Sequence, residues 1–107
     1  MVSQLINSNG NATANQFVIS HNDGTIGFQS YAGLVCEVRP AGLGFDKVVC
    51  FGRDWDYSRT TMKHLVTFLR QNGCSVLGCA KDIREAIDRG HARYDEAIAV
   101  LYDETMR

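Results

Sequence analysis

Long apolar runs are missing from this chain. No stretch approaches the roughly 20 residues a membrane-crossing helix needs, so no contact with a bilayer is expected. The opening MVSQLINSNG has neither a basic segment nor a long apolar one, so no secretory signal is expected and the cytoplasm is the predicted location. Charge of one sign is missing too. Eleven Lys and Arg stand against twelve Asp and Glu, a net −1, which excludes a globally basic nucleic-acid binder and a strongly acidic nucleic-acid mimic. The sum says nothing about local patches. Cysteine pairs at metal spacing are absent as well. Cys36, Cys50, Cys74 and Cys79 form no C-x-x-C, and no histidine pair sits at zinc-finger spacing, so no metal ligand and no cofactor are expected. Cys36 and Cys50, in LVCEV and VVCFG, read as small buried thiols. A bridge between Cys74 and Cys79 is conceivable from their spacing, but a reducing cytoplasm argues against it.

A chain of 107 residues, 45% of them apolar, is long enough to bury one modest core and too short for two domains. Residues 1–15 are rich in Asn, Ser, Ala and Gly and predict a weakly ordered arm, tied down at most by Leu5 and Ile6. From Asn15 the period becomes two, with Phe17 and Ile19 alternating with their neighbours, which predicts a strand. Asn22-Asp23-Gly24 supplies a tight hairpin turn. A return strand follows over Thr25–Phe28, and another over Tyr31–Val38, with Leu34, Cys36 and Val38 on one face and a bulge at Gly33. Arg39–Gly44, with the only proline and two glycines, reads as a loop. KVVCFG at Lys47–Gly52 is an apolar run of strand length, placed near the sheet centre.

The main helix is the clearest element. Ser58 is an N-cap candidate and Asp56 puts negative charge near the helix start. Met62, Leu65, Val66, Phe68 and Leu69 fall on one broad arc, and Gly73 after Asn72 gives a left-handed stop. Beside the arc, Arg59, Lys63 and Arg70 line a narrow basic stripe. Residues 74–107 predict a helical extension. Cys74–Leu77 reads as a short edge strand or an irregular link. Asp82 and Glu85, at capping-box spacing, open a short helix that ends at Gly90, and a last helix spans about Ala92 to Glu104. The expected fold is therefore α+β: an antiparallel meander of three or four strands, one main helix packed on it, and two short C-terminal helices.

Ser30-Tyr31, Trp55-Asp56-Tyr57-Ser58-Arg59-Thr60-Thr61, His64-Leu65 and Phe68-Leu69 together resemble a pattern in small proteins of phages, plasmids and other mobile elements. There a "SY" strand precedes a "WDYSxTTxxHLxxFL" helix. The resemblance spans about residue 28 to residue 73. It implies a viral or mobile-element origin and a protein that binds host machinery, defence systems included. It transfers no reaction and no cofactor.

Several readings compete for the same residues. Trp55 and Tyr57 read either as a lid over the sheet–helix core or as aromatic anchors in a partner interface. Ser58, Thr60 and Thr61 read as capping hydroxyls in preference to a phosphate site, since no glycine-rich loop precedes them and Asp54 and Asp56 stand where an anion would come. His64 lies two turns into the helix and reads as a solvent-facing or hydrogen-bonded side chain rather than an acid–base group. The Arg59, Lys63 and Arg70 stripe reads as a solvated face, as a contact for an acidic protein surface, or as a phosphate contact. The acidic end of the chain could pair with it, within one chain or between two copies of a homodimer. Three functions follow. The first is a non-catalytic accessory protein binding a host protein or protein–nucleic-acid complex, an inhibitor of a defence complex such as a CRISPR effector. The second is a small nucleic-acid-binding protein using the stripe. The third is a small enzyme built on His64 or His21 with a carboxylate; no complete catalytic set can be named for it.

Overall fold

The computed structural model describes residues 1–40, 47–52, 55–74, 77–89, 91–94 and 97–102; for residue 89 and the last two strands the description is of the backbone alone. Seven strands form one antiparallel sheet: β1 (Val2–Ile6), β2 (Ala12–Ser20), β3 (Ile26–Ser30), β4 (Gly33–Pro40), β5 (Lys47–Gly52), β6 (His91–Tyr94) and β7 (Ala97–Tyr102). Two helices, α1 (Arg59–Gln71) and α2 (Ala80–Arg89), lie between β5 and β6 in the chain. The spatial order is β1-β2-β3-β4-β5-β7-β6. The first five strands zigzag as neighbours, and the final hairpin returns to place β7 against the other side of β5. The class is the expected α+β.

Helix α1 follows its local signals closely. Ser58 has extended backbone, and its hydroxyl accepts the Thr61 amide at 3.1 Å. Asn72 is the C-cap, Gly73 takes φ +77°, and the Cys74 amide closes onto the Leu69 carbonyl at 2.9 Å. That six-to-one bond is the Schellman closure a glycine makes accessible. Thr61, Leu65, Phe68 and Leu69 are buried against the sheet. The pairing registers put Phe28, Cys36, Val38, Val49 and Phe51 on one sheet face. These residues join Leu65, Phe68 and Leu69 of α1 and Ile83, Ala86 and Ile87 of α2 in a single core. Phe28 stacks on Phe68 with ring centres 5.5 Å apart. Helix α2 extends two residues before the expected Asp82, and the expected stop at Gly90 lies outside the described residues.

Five expectations are corrected. The C-terminal helix over Ala92–Glu104 is instead the β6–β7 hairpin. AIAVLY is apolar at nearly every position, so the spacing of Ala97, Ile98 and Leu101 fits a helix and a strand equally well. The outer edge of β5 decides the matter, since all six of its residues pair with β7. With β1 added at the other end, the strand count among the described residues rises from three or four to seven. The expected weakly ordered arm over residues 1–15 contains β1 and the start of β2. Leu5 is fully buried in the core, and it anchors the strand. The loop expected from Arg39 begins later, since Pro40 still pairs with Lys47; residues 41–46 lie outside the described set.

The fifth correction concerns the bulge, which sits at Val35 and not at Gly33. Phe28 pairs with Cys36 while Gln29 pairs with Leu34, leaving Val35 as the extra residue. A bulge turns two consecutive side chains the same way. Val35 and Cys36 are accordingly both in the core, and Leu34, expected on that face, is exposed on the other. There Leu34 lies 3.3 Å from where a Cβ on Gly27 would stand. The cross-strand neighbours Gly27, Gln29, Leu34, Glu37 and Arg39 mark the sheet face turned away from the core.

Candidate binding surface on the main helix

Positions 59, 63 and 70 fall within about 40° of one another around a helix and span about 16 Å along it. In α1 all three side chains are exposed on the flank away from the core. Arg70 Nη2 donates to the Gly78 carbonyl at 3.4 Å, which steadies the C-terminal end of the row. Among the described residues, neither Arg59 nor Lys63 is paired with a carboxylate; the ion pairs there are Arg39–Glu37 and Arg84–Asp56. The row is thus held straight by a capped helix while its charges face solvent.

The two aromatic candidates separate. Tyr57 is 82% exposed and stands just before the first turn of α1. Trp55 is only 6% exposed and packs 6.0 Å from the Phe51 ring. Of its two readings the structure takes the lid, which removes Trp55 from the exposed surface. A third party holds it there. The Arg84 guanidinium lies 5.4 Å from the centre of the indole ring and reaches Asp56 Oδ2 at 3.6 Å, tying α2 to the segment before α1. Sequence reading missed Arg84 because nothing local distinguishes it from the other surface charges of α2.

The hydroxyl groups form a buried joint and not an anion cradle. Ser58 Oγ donates to Thr61 Oγ1 at 3.1 Å, and Thr61 Oγ1 lies 3.3 Å from Ser30 Oγ. Thr61 and Ser30 are both buried, while Thr60 points to solvent. The joint brings the β3–β4 turn beside the start of α1. Tyr31, in that turn, is exposed with a left-handed φ of 56°. Sequence reading placed this second exposed tyrosine at the start of a strand, and β4 begins only at Gly33.

On the opposite flank Gln71 Nε2 donates to the Ile6 carbonyl at 2.6 Å, fastening α1 to β1. His64 lies on this flank, half-buried, with its Nδ1 enclosed and without a hydrogen-bond partner. Burial first, and the Lys63 charge second, hold its pKa below the usual histidine value. Neither expected state, solvent-facing or hydrogen-bonded, describes it. His21 lines a shallow recess of about 280 Å³ with Asp23, Thr25, Glu37 and Arg39. Its carboxylates are already engaged: Asp23 accepts the Thr25 amide at 2.9 Å, and Glu37 accepts Arg39 at 2.8 Å. No group of three or more His, Cys, Asp or Glu among the described residues could hold a metal ion. No disulfide joins the described cysteines, and burial pushes Cys36 well above and Cys50 above the usual thiol pKa. No helix among the described residues is long and apolar enough to cross a membrane.

These features define a small α+β protein with helices packed on one face of an antiparallel sheet and a cationic, tyrosine-flanked helix exposed. The chain belongs to a family of unknown function, DUF8033, which matches residues 1–85 and so takes in β1 to β5, α1 and most of α2. No curated protein and no solved structure matches it.

Proposed function

We propose that this is a non-catalytic accessory protein of a phage or other mobile element. In this reading it acts in the host cytoplasm, binding a host macromolecule and modulating it, with a defence complex of the CRISPR-effector kind as the target. One observation carries the reading: Arg59, Lys63 and Arg70 stand on one flank of a rigid, doubly capped helix, beside the exposed Tyr57. Arginine and tyrosine are enriched among residues that dominate interface energy. The mobile-element resemblance of the Trp55–Leu69 segment supports the same reading.

The test is capture from host lysate with and without nuclease, run in parallel on the wild-type protein and on the Arg59→Glu, Lys63→Glu double variant. A protein partner stays bound after nuclease and is lost by the variant. A nucleic-acid partner is lost on nuclease treatment, and its affinity falls log-linearly with salt. Full retention of every binding activity in a folded double variant refutes the assignment of this surface.

A further inference from the structure

We infer that β1 is a self-pairing edge, through which two copies of this chain join their sheets antiparallel about a dyad at Gln4. The inference is independent of the α1 surface. It begins from the direction of the backbone groups. Met1 and Ser20 exchange both hydrogen bonds, nitrogen to carbonyl at 2.8 Å each way. Antiparallel partners alternate between bonded and non-bonded pairs. Val2, opposite Ile19, and Gln4, opposite Phe17, therefore turn their amides and carbonyls away from β2. Beyond the local irregularity the phase is set again by Asn7, whose amide bonds the Asn11 carbonyl at 2.8 Å, so Ile6, opposite Ala12, also points outward. The outer edge of the sheet thus presents the backbone groups of Val2, Gln4 and Ile6 on a strand that, among the described residues, is paired on one side only.

The occupant follows from the residues. With Gln4 opposite Gln4 of a second copy, Val2 meets Ile6, Ser3 meets Leu5 and Met1 meets Asn7. Val2 is 63% and Ile6 45% exposed, so this register covers two large exposed apolar side chains with each other. The strand VSQLI carries no charged side chain, so nothing repels its own copy. The other edge of the sheet, β6, reads HARY, and an arginine in an edge strand discourages such pairing. Gln71 already donates to the Ile6 carbonyl, whose second lone pair stays available to a strand amide.

Sedimentation of the full chain up to millimolar concentration tests the pairing. The expected result is a species of two chains for wild type and of one chain for Gln4→Pro, with unchanged circular dichroism. Proline at this position removes an outward amide, which an edge strand tolerates, together with the 3.4 Å bond from Gln4 Nε2 to the Thr13 carbonyl. A second measurement holds if that variant fails to fold. Opposed residues in a bonded antiparallel pair have Cα atoms about 5.5 Å apart, within disulfide reach. Gln4→Cys in a Cys79→Ser background should cross-link into a covalent dimer under mild oxidation, and Asn9→Cys in the same background should not. A wild-type monomer, an open-ended assembly larger than two chains, or equal cross-linking at positions 4 and 9 overturns the inference.

Discussion

Replacing Thr61 with valine keeps the shape of a buried side chain and removes one oxygen, and the outcome is set by what that oxygen holds. Thr61 Oγ1 receives the Ser58 hydroxyl at 3.1 Å and contacts the Ser30 hydroxyl at 3.3 Å. Ser58 is half-exposed and recovers its lost bond from water, and its cap on the Thr61 amide survives. Ser30 is 8% exposed and is left with a buried hydroxyl and no side-chain partner. Stranding a buried polar group costs about 1–3 kcal/mol. Thr61→Val should therefore destabilise the protein by about 2 kcal/mol, a fall in Tm of roughly 10 °C for a domain of this size. Ser30→Ala should cost less, because Thr61 keeps Ser58. The double variant should cost less than the two single effects added, by about 1 kcal/mol, since alanine leaves no hydroxyl to strand. Urea unfolding followed by circular dichroism gives all three values. Additive single effects, or a neutral Thr61→Val, would show that the joint between the β3–β4 turn and α1 is not a coupled unit.

Three further outcomes are expected. For His64, whose folded pKa is depressed below 6.5, the unfolded chain binds the proton first. Stability should be full above pH 6.5 and fall as the pH drops from there toward the folded pKa, and urea midpoints of His64→Gln should lack that slope. Trp55→Ala should cost about 3–5 kcal/mol as a core truncation. Arg84→Ala should cost only about 0.5–1 kcal/mol while shifting the emission of the single tryptophan to the red. Gly73→Ala should cost about 1–2 kcal/mol, because φ is +77° and the new Cβ would stand 3.0 Å from Lys47 Nζ; thermal unfolding measures it.

The contrast between α1 and β7 explains what the sequence made legible. Ser58, the five-residue apolar arc and Gly73 are local instructions, and the helix they predict agrees with the observed one to within a residue at each end. The basic stripe was legible for the same reason, since helical period alone places Arg59, Lys63 and Arg70 together. The β7 run AIAVLY carries no such period, and its state is fixed by a partner strand far away in the chain. Val35 was unreadable because a single extra residue reverses the inside–outside alternation of all that precedes it. Trp55 and Tyr57 look alike in the sequence, and only the distant Arg84, together with the space beside Phe51, decides which of them is buried.

The late arrival of β7 has a consequence for synthesis. On the ribosome, β1 to β5 can zip together in the order they emerge, each against its immediate predecessor. The outer edge of KVVCFG must then stay unpaired while both helices and β6 are made, before Ala97–Tyr102 emerges to close it. Closing so wide a span of chain is entropically slow. The nascent protein thus passes through a stage in which a strongly apolar strand is open to any passing β-segment, and chaperone demand should concentrate in that interval.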